Sequence, residues 1–211
     1  MKNILTLLTV GLMLNNLSAA FGDYKTKEIY KGEIVLKDQN GIDNLFDIQY
    51  LEYTPEFIID ERIISLDWDS MGLTNIEETI IKGYIWKTKE QILSLYDEKM
   101  KVTVASDITS DEAARKQATE RDAYIKQFPV KYGNKIYVNV KGYKLCFAVS
   151  KCGPKDKETR SVEIFINEKN TWLATEGYLN DNVVIARFHQ ELNNKQFKVN
   201  KFLEWLNKNK K

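Results

Sequence analysis

An α+β fold is expected from three observations: strand-like alternation at both ends of the chain, two helical signatures in the middle, and an amphipathic helical pattern at the end. The expected architecture is a largely antiparallel sheet in two strand sets separated by two helices, with a C-terminal amphipathic helix packing on the sheet. The chain has 211 residues. Its first twenty combine Lys2, an apolar run over 4–14 too short to cross a bilayer, and the small residues Ser18, Ala19 and Ala20. This pattern predicts a secretory signal over 1–20 and a mature protein starting near Phe21, leaving 21–211 as a single α+β domain. No Cys lies near the cleavage site to carry a lipid and no further long apolar stretch follows, so no stable membrane insertion is expected.

The segment 28–36 alternates apolar and polar residues as a strand does. Asp38, Gln39, Asn40 and Gly41 then supply a turn, and 46–53 reads as the second strand. Past Pro55, the Ile-rich 57–68 and the β-branched and aromatic 79–87 read as two more strands. Thr88 with Gln91 three residues on is a capping-box signature, predicting a helix over 89–100. Thr109 and Glu112 repeat that signature ahead of a Gly- and Pro-free run over 110–128, stopped by Pro129. That second helix is polar on most sides and packs along one narrow stripe.

Strand patterns then return. The segments 136–140 and 143–149 flank Lys141-Gly142 as a tight hairpin, and the second strand is apolar on both faces, which places it centrally. A meander over 161–167, 171–178 and 183–189 follows, with turns at 168–170 and 180–182; Val184, Phe188 and Leu192 in the last segment also fit a helix. Val199, Phe202, Leu203 and Leu206 form the closing amphipathic helix.

Charge and motif content exclude more than they identify. Without the leader the chain carries 30 basic and 30 acidic residues, a balance that argues against a nucleic-acid partner. The sole Asn-x-Ser/Thr sequon, at Asn16, lies inside the leader, which fits a bacterial exported protein, periplasmic or secreted. Two cysteines, Cys146 and Cys152, in an oxidising compartment predict a local disulfide. Six extended residues span about 20 Å, so that bridge requires the strand to turn back by about Val149; two separate buried thiols are the alternative.

Asp67, Asp69 and Glu78 fall at positions one, three and twelve of a calcium-loop outline, with Gly72 at six and Asn75 at nine, and are the candidate metal ligands. Met71 at the fifth position and Thr74 at the eighth depart from the pattern, and Thr74 with Glu77 suggests a helix cap instead. His189 is the only histidine, and Gly-x-Ser-x-Gly, His-Glu-x-x-His and phosphate-loop patterns do not occur, so histidine-based hydrolysis is disfavoured and no cofactor is implied. Trp68, Trp86 and Trp172 are candidates for a binding face, with core packing the competing reading for each.

What remains is an exported protein that binds a protein partner in the envelope, as an inhibitor, immunity-type protein or accessory factor. Two alternatives make distinct demands. A carboxylate-dependent hydrolase acting on glycans requires two acids in one cleft, and a carrier of small apolar ligands requires a cavity between sheet and helix.

Overall fold

The computed structural model describes residues 24–176, 183–194 and 198–211. The expected signal over 1–20, the cleavage point at Phe21, the end of the 171–178 segment and the turn at 180–182 lie outside the described residues. Six strands form one antiparallel sheet in the order β1-β2-β3-β4-β5-β6: β1 (Lys25–Lys37), β2 (Asp43–Ile59), β3 (Val130–Val140), β4 (Tyr143–Cys152), β5 (Thr159–Glu168) and β6 (Thr171–Ala174). The two strand sets are therefore a single sheet, joined by direct pairing of β2 with β3.

Turn chemistry sets the meander. Asp38 accepts from the Asn40 and Ile42 amides at 2.9 and 3.0 Å, tightening the β1–β2 turn. Lys141 and Gly142 both adopt positive φ (48° and 83°), as do Lys169 and Asn170 (50° and 66°), the two-residue geometry whose twist matches the flanking strands. The Gly142 side of the first turn tolerates that geometry without a Cβ penalty.

Between β2 and β3 the chain leaves and rejoins the sheet at adjacent positions, since Ile59 pairs with Val130. The excursion contains α1 (Glu61–Ile64), a 3-10 turn at Trp68–Ser70, α2 (Ile76–Ile85), α3 (Lys89–Leu93), α4 (Glu98–Asp107) and α5 (Asp111–Gln127). The strand readings of 57–68 and 79–87 are thus corrected. Only Phe57 to Ile59 extend a strand, after which Asp60 accepts from the Arg62 amide at 3.0 Å and starts α1. The second is helix α2, begun by Asn75, which accepts from the Glu78 amide at 2.8 Å. The expected helix over 89–100 is two helices, because Asp97 accepts from the Met100 amide at 2.8 Å and opens a new one. The capping box at Thr88 and Gln91 forms, whereas α5 is capped by Ser110 rather than Thr109. After β6 come α6 (Val183–Asn193), helical where a strand over 183–189 was expected, and α7 (Val199–Lys208).

These elements make three layers. On one sheet face Phe46, Phe147 and Ile164 meet Phe188 of α6 and Phe202 of α7; the Phe188 ring lies 5.1 Å from Phe147 and 5.7 Å from Phe202. The opposite face packs Phe57, Tyr132, Cys146 and Phe165 against Ile76, Ile80 and Ile85 of α2. A smaller apolar cluster, including Trp86, Leu95, Ile108 and Ala114, holds α3 to α5 together.

The expected disulfide is also corrected. Both thiols are free, Cys146 buried and Cys152 half-buried. Strand β4 stays paired with β5 through Cys152↔Thr159, so it does not turn back at Val149, and extended backbone keeps the sulfurs apart.

Candidate functional site

Helix α2 lies across the second sheet face and brings polar side chains onto it at both ends. At its start Glu77 meets Lys135 of β3 at 2.6 Å, and Tyr53 donates to the same carboxylate at 2.8 Å. Glu77 and Lys135 are each 7% exposed, and the Lys135 ammonium sits 5.4 Å from the centroids of the Tyr53 and Tyr137 rings. Charge, hydrogen bond and aromatic faces all compensate this buried pair.

At the other end of α2 the arrangement differs. Glu163 of β5 accepts from the Tyr132 hydroxyl at 2.5 Å and from the Tyr84 hydroxyl at 3.3 Å, and those two hydroxyls are 3.0 Å apart. Tyr132 is fully buried, while Glu163 keeps an accessible edge. Burial pushes the Glu163 carboxyl above the ordinary carboxylate range, opposed but not outweighed by the hydroxyl donors. The same burial, together with the adjacent Glu163 charge, drives the Tyr84 and Tyr132 phenols well above their usual value.

Glu163 opens onto a cleft of about 310 Å³ between α2, α3 and the β5–β6 edge. Its walls include Ile80, Trp86, Ile92, Leu95 and Phe165, with Thr79, Thr175 and Glu176 as further polar groups. Backbone bonds fix the mouth: Ala174 donates to the Leu95 carbonyl at 2.7 Å, and Thr175 to the Ile164 carbonyl at 2.9 Å. The Thr175 hydroxyl also bonds the buried Asp97 carboxylate that caps α4. Gly83, within α2, lines the cleft, and a Cβ there would meet nothing within 4 Å. A helix-interior glycine costs about 0.5–1 kcal/mol relative to alanine, and here no packing constraint requires it.

The residues singled out in sequence lie as follows. Trp86 lines the cleft and is 7% exposed, with the Arg121 guanidinium 4.6 Å from its ring centroid. Trp68 stacks under the Lys82 ammonium at 4.3 Å, and Trp172 packs 5.7 Å from Tyr137; neither lines the cleft. Asp67 and Asp69 flank and enter the 3-10 turn, and Glu78 accepts from the Thr74 hydroxyl at 3.1 Å. Among the described residues no three His, Cys, Asp or Glu side chains are grouped as a metal site would require, and Asp67, Asp69 and Glu78 are not brought together in such a group. Their spacing reflects a turn followed by a helix start, with Asn75 as the cap in place of Thr74. His189 sits half-buried on α6, away from the cleft lining.

Glu163 escaped the sequence reading, although its setting carried a signal: an acid inside the apolar run Val162 to Ile166. Comparison of the chain with protein-family models, curated proteins and solved structures yields no match.

Proposed function

We propose that the protein binds a small molecule in the cleft between α2, α3 and the β5–β6 edge, and that it does so outside the cytoplasm. The observation that carries this reading is a cleft of about 310 Å³ with apolar walls and a hydroxyl-bonded glutamate opening into it. Small-molecule sites are concave, mostly apolar, and carry a few convergent polar groups. Gly83 supports it further, since the helix gives up stability there and the space gained belongs to the cleft.

Support for a docking face on a macromolecule is weaker. The exposed large apolar side chains, Ile42, Leu45, Val102, Tyr124 and Tyr143, are spread over a turn, two strands and two helices. The compartment rests on the leader pattern over 1–20. Hydrolysis by paired carboxylates is a second reading, favoured by one observation: Glu163 and Glu176 line the same cleft.

The test is native mass spectrometry of protein isolated from its own cell envelope, with its N-terminus sequenced. The expected result is a chain starting near Phe21 that carries a small bound mass, lost in Gly83→Phe. A heteromeric mass with no small molecule would refute the cleft reading, and an uncleaved leader would refute the compartment. Turnover of a glycan abolished by Glu163→Gln would replace binding with hydrolysis.

A further inference from the structure

We infer that the cleft is built for a cation, an ammonium group carried on a compact apolar or aromatic body. This rests on the cleft being the binding site, and it goes further by assigning the ligand's charge and shape.

Two glutamates in the layer between α2 and the sheet differ in one respect. Glu77, in the first turn of α2, has its charge matched by Lys135 at 2.6 Å, with aromatic rings 5.4 Å from that ammonium. Glu163 lies under the same helix with hydroxyl donors alone, and among the described residues no basic side chain forms an ion pair with it. A carboxylate withdrawn from water is costly unless a positive charge joins it. The surroundings of Glu163 supply everything the Lys135 site has except the cation.

The rest of the lining agrees. Glu176 adds a second carboxylate, and Tyr84, Trp86, Tyr96 and Phe165 add aromatic surface, while among the described residues no Lys, Arg or His lines the cleft. Carboxylates with aromatic rings and no competing base are the chemistry that recognises amines and quaternary ammonium groups. Arg121 stacks on Trp86 but is itself held by Asp122, at 3.0 and 2.7 Å. An anionic ligand would meet the Glu176 carboxylate and oppose ionisation of Glu163, and a neutral one offers Glu163 no counter-charge.

Binding of a cation favours the charged form of Glu163, so at pH values where the free carboxyl is partly protonated it releases a fraction of a proton, and the release disappears as the pH is raised above that range. A hydroxyl-only ligand has no such linkage.

The experiment is titration calorimetry of the full folded chain with three probes of one shape: benzyltrimethylammonium, benzyl alcohol and benzoate. Runs in two buffers of different ionisation heat measure proton release. The expected result is binding of the cation at least tenfold tighter than the alcohol, no detectable benzoate binding, and proton release with the cation only. Glu163→Gln, with folding checked by circular dichroism, is expected to weaken the cation at least tenfold and the alcohol by a smaller factor, so that the preference for the cation falls. If that variant does not fold, the three-probe ranking in the parent protein still decides. Alcohol or benzoate binding as tightly as the cation would overturn the inference while sustaining the cleft as a site. Absence of binding by all three, together with no small bound mass on the native protein, would overturn both.

Discussion

Lys135 and Glu77 form a buried pair whose removal can be dissected one side at a time. Lys135→Met leaves the Glu77 carboxylate without its cation in an apolar layer, an expected loss of about 3–5 kcal/mol. The double variant with Glu77→Gln is expected to recover much of that, because no charge is then left unmatched; urea unfolding of the four proteins in the cycle measures both. Glu163 predicts a pH dependence of opposite origin. Its carboxyl titrates higher in the folded chain than in the unfolded one, so between those two values the folded chain binds more protons. Stability from this group therefore falls as pH rises from the ordinary carboxylate range through the Glu163 pKa. Glu163→Gln is expected to remove that slope in the ligand-free protein, read as a stability difference that shifts in the variant's favour across the window. Lys135 and Glu163 did not stand out in the sequence, for a common reason. A single charged residue in a strand such as 159–168 reads as solvent-facing, and only pairing of the strands reveals that a helix covers it.

Helix α2 is the element on which both polar sites depend and the one that sequence patterns misread. Thr79, Ile80, Ile81, Tyr84 and Ile85 are residue types enriched in strands, and the helix buries Ile76, Ile80, Ile81 and Ile85 on more than one side. A helix covered by the sheet on one flank and by α5 on another loses the single apolar stripe that marks a surface helix, so tertiary packing overrides propensity. By contrast the β3–β4 hairpin was legible, since Lys141-Gly142 sits between two β-rich apolar runs and a two-residue turn of this kind brings its flanking strands together. The α3 start was legible as well, through side chains of Thr88 and Gln91 that bond only to nearby backbone. Gly83→Ala offers a direct check on α2. The added methyl meets no atom within 4 Å and reduces the freedom of the unfolded chain, so a gain of about 0.5–1 kcal/mol is expected by urea or thermal unfolding. A loss would mean that the helix needs its glycine for shape.

Across the whole molecule, a meander sheet is covered on one face by α6 and α7 and on part of the other by the excursion between β2 and β3. Residue patterning pointed to this α+β class, but not to the continuity of the sheet, because the pairing of Ile59 with Val130 joins residues far apart in the chain. Both borders of the sheet are partly covered by segments that are not strands. At β6, Trp172 donates to the Leu73 carbonyl at 2.8 Å and Asp97 to the Ala174 carbonyl at 3.2 Å. At β1, Val35 donates to the Asn209 carbonyl at 2.9 Å, Lys211 donates to the Glu33 carbonyl at 3.2 Å, and Ile34 bridges Lys210. An uncovered border strand is a template on which a second chain can add itself, the first step of edge-to-edge aggregation. Residues 209–211 thus cover the stretch 33–35 of a 13-residue strand. Deleting 209–211 is expected to leave the fold intact and to raise concentration-dependent light scattering, because it uncovers backbone hydrogen-bonding groups of 33–35 on which a second chain can add itself.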